Sequence, residues 1–453
     1  MEPSPKLFGT DGMRGVAGRY PLDFATVRKF GKVLARLLRK LDGAVRPRVV
    51  LGEDTRESSC GISQALAAGL RASGSDVIYA GVITTPGIAF LTRQLGFTAG
   101  IMVSASHNPY QDNGIKVFAS SGLKLSETQE VEIERALERP QSPEEPVPGE
   151  PLLADPGLLD LYVRYLQAIL PEHLPLPKAP LVVDCAHGAA SRVVPALLKN
   201  LGIEARILNA SPNGRNVNYL SGSLFPERMA QETRSSGAHL GVAFDGDADR
   251  AIFATADGRI ADGDHVLYAV APYFEHNHKL KGHTIVGTLM TNLGLEIALE
   301  RFGIGLKRTA VGDKYVLEEI LRSGYNLGGE PSGHIIFADL SLVGDGVITL
   351  LQVLRVIAET GTSFTELVRD LKQFPQLIRN VPVREKRPLE SLPGVTRMID
   401  ACRNEIGEKG RVIVRYSGTE RLARVMVEAE DADTVERQAT RIANAIEMAI
   451  GSG

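Results

Sequence analysis

One unit recurs three times along the chain, and it limits what the chain can fold into. The copies are VVLGEDTRESSCGISQALAAGLRASGSDVIYAG from Val49, LVVDCAHGAASRVVPALLKNLGIEARILNAS from Leu181, and TIVGTLMTNLGLEIALERFGIGLKRTAVG from Thr284. Each reads as a short apolar strand, a polar turn, an amphipathic helix closed by glycine (Gly74, Gly202, Gly303) and a second strand. Strands alternating with helices at this spacing predict βαβ crossovers, hence three α/β units with mixed, mainly parallel sheets. A proline- and glutamate-rich stretch from Arg139 to Pro151 can neither continue a helix nor build a core, so it marks a boundary. A second boundary is expected at the hairpin-like turn Asp257-Gly258. A third follows the predicted helix SFTELVRDLKQF, where composition shifts to VPVREKRPLESLPG. The chain thus divides into residues 1–153, 154–256 and 257–373, each α/β, and a C-terminal α+β segment, 374–453. A length of 453 residues agrees with several cores rather than one.

Charge narrows the function. Fifty-one Lys and Arg against 54 Asp and Glu leave a net charge of -3, no global field for nucleic acid or an anionic membrane, so an anionic ligand must be held locally. Cys60, Cys185 and Cys402 stand far apart without a C-x-x-C pair, which fits a reducing compartment better than a disulfide framework. The first residues show no signal-peptide pattern and no apolar run approaches the ~20 residues of a membrane span, so a soluble, cytoplasmic protein is expected.

Two motifs carry most of the chemistry. In TAGIMVSASHNPYQDNGIKVF, Thr98 to Phe118, a buried strand discharges into a loop of hydroxyl, imidazole and amide groups. In open α/β sheets ligands bind beyond the strands' carboxyl ends, which is where Ser106 falls. A serine is a weak nucleophile without help, and His107, Asn108 and Lys116 are near enough to supply it. In LGVAFDGDADRAIF a strand runs into Asp245, Asp247 and Asp249. Three carboxylates ~4 Å apart repel by roughly 4 kcal/mol per pair at an effective dielectric of 20, a penalty that a cation removes. Only a curled loop converges all three, and Gly246 permits the curl. Hard oxygen ligands favour Mg²⁺, while the absence of a distal glutamate argues against a calcium hand.

Three weaker motifs extend the picture. YNLGGEPSGHIIF sets Glu330, Ser332 and His334 in a glycine-rich turn between strands, where the first two suit sugar hydroxyls and the third a proton near neutral pH. GRVIVRYSGTERLARVMVEAE joins two strands through Ser417-Gly418-Thr419, with Arg415 and Arg424 as guanidinium forks suited to phosphate. GTDGMRG reads as a flexible turn around Arg14, able to reach an anion or to pair with an acid. His276, His278 and His283 in EHNHKLKGH are spaced like metal ligands yet read as an exposed loop.

Taken together, SASHNP, DGDADR, GGEPSGH and RYSGTE occur in the order and at the separations of the α-D-phosphohexomutase superfamily, which the whole chain from Leu7 to the last helix resembles. KLFGTDGMRG and VGTLMTNLGLE look like its glucosamine branch. The resemblance implies four domains round a central cleft, with Ser106 as a phosphoserine. It implies one Mg²⁺ per chain on Asp245, Asp247, Asp249 and Ser106, and Arg250 as a phosphate partner. Lys116 and His334 would serve proton transfer and Arg14 would stabilise the transferring group, with His107 a catalytic candidate by its place beside Ser106. Glu330 and Ser332 would hold the sugar, and Arg415, Ser417, Gly418, Thr419 and Arg424 its non-reacting phosphate. The implied reaction interconverts glucosamine 6-phosphate and glucosamine 1-phosphate through a 1,6-bisphosphate, which also serves as activator. It would feed synthesis of UDP-N-acetylglucosamine and cell-wall precursors, in a monomer or homodimer. Arg421, Ala248, His187, Lys314 and Pro331 depart from the family's usual residues. Rival readings are a phosphomannomutase or phosphoglucomutase, a Mg²⁺-dependent sugar-phosphate hydrolase and a non-catalytic sugar-phosphate sensor.

Overall fold

The structure, a computed structural model, describes residues 7–9, 11–43, 45–138, 150–171, 174–175, 179–417 and 421–451. The proline-rich segment read as a boundary lies, up to residue 149, outside them. The chain divides into two compact units, Met1–Met290 with Leu306–Arg369, and Thr291–Gly305 with Asp370–Gly453.

The first unit carries three sheets. The first contains β1 (Phe8–Gly9), β2 (Gly12–Val16), β3 (Arg48–Glu53), β4 (Asp76–Val82), β5 (Ala99–Val103) and β6 (Asp112–Ala119), in the order β1-β2-β6-β5-β3-β4. The second contains β7 (Leu181–Asp184), β8 (Ala205–Leu208), β9 (Leu240–Phe244), β10 (Ala251–Thr255) and β11 (Ile260–Ala261), ordered β11-β10-β9-β7-β8. The third contains β12 (Thr284–Thr288), β13 (Gly305–Thr309), β14 (Leu327–Gly329) and β15 (Ile335–Phe337), ordered β13-β12-β14-β15. Every residue of β5, β7 and β9 is buried, as expected of central strands covered on both faces.

The three sheets repeat one strand order. In each, the first strand of the recurring unit lies between the unit's second strand and a third strand parallel to it, and a fourth then pairs antiparallel with the third. The β5-to-β6, β9-to-β10 and β14-to-β15 loops are therefore equivalent, and they carry Ser106, the three aspartates and Glu330 with His334, respectively. Repetition of one supersecondary unit has brought three different chemistries to the same topological position.

The second unit has an antiparallel sheet of β16 (Gln376–Pro382), β17 (Gly410–Tyr416) and β18 (Leu422–Ala429), with β18 central. The helices Pro393–Ile406 and Ala432–Ile450 close its core on Val395, Val425, Val427, Ile442 and Ile446. The helix Leu293–Glu300 of the third repeat belongs to this unit, its N-cap Asn292 donating to the Phe374 carbonyl at 2.9 Å.

Two expectations are corrected. The helix read across SFTELVRDLKQF is a single turn, Phe364–Leu367, opened by a capping box of Ser363 and Glu366. Phe364, Val368, Leu371 and Phe374 are nevertheless all buried, so apolar side chains at helical spacing bury one face without a continuous helix. Arg14 lies not in a flexible turn but in β2, opposite Gly114 of β6.

Candidate active site

Ser106 stands three residues past the end of β5 and is 1% exposed. Its hydroxyl donates to Asp245 Oδ2 at 2.5 Å and lies 3.3 Å from His107 Nδ1. Its backbone N–H donates to Ser104 Oγ at 2.9 Å, and that hydroxyl donates to Asp54 Oδ2 at 2.7 Å. Asp245, Asp247 and Asp249 leave β9 in a curled loop and are buried, with one oxygen from each lying within 4.8 Å of the others. The curl needs the backbone of Gly246, where a Cβ would stand 2.5 Å from the Ser106 carbonyl oxygen. It also turns at Ala248, φ 57, a left-handed conformation that explains why glycine suits this position and that costs alanine about 1 kcal/mol.

The chemistry of this cluster fits a cation. Asp247 Oδ1 and Asp249 Oδ1 are buried and accept no hydrogen bond. Burial first, and the charges of Asp249 and Asp247 next, push the Asp245 carboxyl well above the usual carboxylate range. Those two oxygens and that repulsion are what a hard divalent ion would satisfy.

Lys116 supplies the nearest positive charge. Its fully buried Nζ donates to Asp247 Oδ2 at 2.8 Å and Asp249 Oδ2 at 3.1 Å, and it pairs with Asp11 Oδ2 at 2.9 Å. Burial works against its charge, yet the three carboxylates hold its pKa well above the ordinary lysine value. Burial likewise acts to raise Asp249, but Lys116 and His334 together outweigh it, holding that carboxyl well below its usual range. Thr85 donates its hydroxyl to Asp247 Oδ2 as well.

These groups border a cavity of about 600 Å³ lined by Arg14, His107, Asp249, Arg250, Glu330, Ser332 and His334, together with Asp11 and Asp313. Its volume falls in the usual range for small-molecule sites, roughly 300 to 1,000 Å³. Arg14 both pairs with Asp11 and reaches Asn108 Oδ1 at 3.4 Å and the Ala105 carbonyl at 3.3 Å. Arg250 Nε is buried without a hydrogen bond, 3.9 Å from Asp249 Oδ1. Burial, with Arg250 and Arg14 adding to it, pulls the His107 imidazole down to about 4. Glu330 Oε1 accepts from Gly312 N–H at 3.0 Å, and burial raises its carboxyl. His334 sits between Asp313, 3.4 Å from Nε2, and Asp249, 3.7 Å from Nδ1, the latter too long for a hydrogen bond. Burial opposes the imidazolium, but those two carboxylates raise its pKa.

Reading the sequence missed Asp11, Lys124 and Asp313. Lys124 Nζ pairs with Asp11 at 2.5 Å and with Asp313 at 2.6 Å, tying the strand-rich start of the chain to the helix Asp313–Ser323. No local pattern could have joined residues so far apart.

The second unit holds the remaining candidates. Arg415 of β17 and Arg424 of β18 face each other directly in the antiparallel register, a placement of like charges that suits an anionic ligand. Ser417 is buried, its N–H donates to the Leu422 carbonyl at 2.8 Å, and its carbonyl accepts from Lys386 Nζ at 2.6 Å. Gly418 and Thr419 lie outside the described residues. His276, His278 and His283 are exposed, with His283 Nδ1 2.7 Å from Glu275 Oε1. Among the described residues no helix is long and apolar enough to cross a membrane.

Comparison with known proteins gives the family. Four models of the phosphoglucomutase/phosphomannomutase family match in order: alpha/beta/alpha domain I at residues 5–144, domain II at 160–258, domain III at 262–374 and the C-terminal domain at 379–445. The phosphoglucosamine mutase of Koribacter versatilis is 49% identical, covering 99% of this chain and 98% of that protein. That of Solibacter usitatus is 47% identical, covering 98% and 99%. Among solved structures, a phosphoglucomutase/phosphomannomutase family protein from Burkholderia thailandensis shares the fold at TM-score 0.79 and 24% identity, covering 98% of each chain. Aspergillus fumigatus N-acetylphosphoglucosamine mutase, solved with GlcNAc-6P and magnesium, does so at TM-score 0.70 and 20% identity, covering 99% of this chain and 96% of that one. The chain belongs to the phosphoglucomutase/phosphomannomutase family.

Proposed function

We infer that the chain is a phosphoglucosamine mutase, an isomerase that interconverts glucosamine 6-phosphate and glucosamine 1-phosphate through a phosphoserine at Ser106 and a bound 1,6-bisphosphate. The observation that carries the mechanism is the Ser106 hydroxyl 2.5 Å from Asp245 in a buried three-aspartate cluster at the edge of a cavity. The relatives' name and their 41% to 49% identity over nearly the whole chain support the choice of sugar.

Phosphoryl transfer needs alignment and charge neutralisation more than covalent help. Asp245, Asp247, Asp249 and Ser106 would hold one Mg²⁺, which when bound neutralises charge on the phosphoryl oxygens. The chain's own groups do the rest. Glu330 and Ser332 orient the sugar so that one hydroxyl oxygen faces the phosphorus on Ser106. The Oγ–P bond breaks as the sugar O–P bond forms, and His107 or His334 relays the sugar hydroxyl's proton to the serine oxygen set free, while Lys116, held charged by its three carboxylates, neutralises negative charge beside it. Arg14 and Arg250 hold the transferring phosphate. Arg415, Ser417, Gly418, Thr419 and Arg424 are proposed to grip the phosphate that does not react. Reorientation of the bisphosphate then lets Ser106 recover the other phosphoryl group, and water must be kept out throughout, or the phosphoserine hydrolyses. The reading also carries a bisphosphate as activator, domain limits at residues 153, 256 and 373, a cytoplasmic location, and a monomeric or homodimeric state.

Turnover of glucosamine, mannose and glucose 6-phosphates with Mg²⁺ and glucose 1,6-bisphosphate tests the substrate. The glucosamine ester is expected to dominate in kcat/KM. A dominant mannose or glucose rate, or release of inorganic phosphate faster than isomer formation, would reject the assignment.

A further inference from the structure

Ser106 holds a strained backbone conformation, secured by bonds within its own loop together with bonds from outside it. Its φ of 52 is left-handed, unfavourable for any residue with a Cβ by roughly 1 to 2 kcal/mol, and it persists only where surrounding contacts over-determine it. Two side chains from outside the loop grip it there.

Arg56, in the polar turn after β3, is 3% exposed. Its Nε donates to Asp54 Oδ2 at 2.8 Å, and its Nη1 donates to the carbonyls of Pro109 and, at 3.0 Å, Asp112. Its Nη2 donates to the carbonyls of Ser106 and Asn108, each at 2.8 Å. All five guanidinium donors are thus used, three of them on the loop and one on Asp112 at the start of β6, a geometry that a lysine ammonium cannot reproduce.

Asn218 reaches the same two carbonyls from the side of the second sheet, its Nδ2 donating to Ser106 O at 2.9 Å and Asn108 O at 3.1 Å. It is 7% exposed, and its backbone N–H is tied to the Ala186 carbonyl at 2.9 Å. The metal-ligand loop lies against the same point, since a Cβ on Gly246 would stand 3.0 Å from Asn218 Nδ2. The Ser106 carbonyl is therefore held both by its own sheet's arginine and by a residue fixed to the sheet that carries the aspartates.

We propose that Arg56 and Asn218 are positioning residues of the phosphoryl transfer: by gripping the carbonyls of Ser106 and Asn108 they fix the left-handed serine and aim its Oγ at the aspartate cluster. Neither is among the residues that line the cavity, and no bond is made or broken on them. The inference rests on Ser106 being the phosphoryl carrier. Its signature is a loss in the chemical step with sugar binding intact, because a misplacement of about 1 Å costs on the order of 10²-fold in rate.

The test uses full-length protein phosphorylated by glucose 1,6-bisphosphate and mixed with glucosamine 6-phosphate in a single turnover. Asn218→Gly is the cleaner variant, because glycine accepts the φ of 58 at this position without strain and removes only the side-chain donors. It is expected to slow transfer from Ser106 by about tenfold or more, with KM within about twofold of wild type and Mg²⁺ affinity unchanged. Arg56→Lys is expected to do the same, and where it fails to fold Asn218→Gly decides alone. A transfer rate within about twofold of wild type, or kcat and KM changing together with a fall in Tm, would overturn the proposal. If wild type itself takes up no phosphate on Ser106, the mutase reading fails instead, so the two failures are distinct.

Discussion

Asp345 is a buried carboxylate with a structural duty. It caps the helix Gly346–Thr360 through the N–H groups of Val347 and Ile348 and accepts the Tyr162 hydroxyl at 2.6 Å. Burial nevertheless lifts its pKa to about 6 against those hydrogen bonds. Because the folded value lies above the unfolded one, its contribution is fully present below about pH 4 and is lost as pH rises through about 6. By pH 8 the ionised group costs on the order of 3 kcal/mol, so Asp345→Asn should gain stability relative to wild type between pH 5 and pH 8. A Tm difference between the two proteins that stays constant over that range would contradict this. At the aspartate cluster, Asp247→Asn should weaken Mg²⁺ binding by about a hundredfold by calorimetry, because it removes a proposed ligand and leaves Lys116 with one fewer counter-charge. Unaltered affinity would exclude Asp247 as a ligand. At this scale Ser106 and the three aspartates were legible because each motif is local. Arg56, Asn218, Asp11, Lys124 and Asp313 were not, since their partners are distant in the chain and nothing in their own neighbourhoods signals them.

At the scale of elements, the recurring strand-helix-strand unit could be read from apolar runs and closing glycines, and Gly74, Gly202 and Gly303 do take left-handed φ values of 81, 68 and 70. The equivalence of the three site loops could not be read, because each follows the unit's third strand, whose pairing is a tertiary choice. The helix expected over residues 363–374 failed for a related reason: periodicity reports which side chains bury, not whether the backbone between them stays helical. The hairpin of β17 and β18 yields a prediction at this scale. With Arg415 and Arg424 opposed, inorganic phosphate should raise the Tm of wild type more than that of Arg415→Ala, by mass action on the folded state. Equal shifts in both proteins would remove Arg415 from any phosphate site.

Over the whole molecule, a net charge of -3 offers no global field for nucleic acid or an anionic membrane, but composition could not choose among sugars, since those differ by one substituent that no bulk property senses. Metal binding couples the parts of the account. Mg²⁺ at about 100 times its Kd should stabilise the folded protein by about 2.7 kcal/mol. At the same Mg²⁺ concentration that gain should fall to about 0.4 kcal/mol in Asp247→Asn, and a Tm indifferent to both Mg²⁺ and chelator would deny a resident ion. The central claim is that Ser106 carries the phosphoryl group between the two ends of the sugar. Intact-mass measurement of wild type and Ser106→Ala after incubation with glucose 1,6-bisphosphate and Mg²⁺ tests it most directly, with isomerase activity measured on the same samples. The account predicts one added phosphoryl group on wild type, none on the variant, and a loss of activity of about 10³-fold or more. A fully active variant that takes up no phosphate would contradict it.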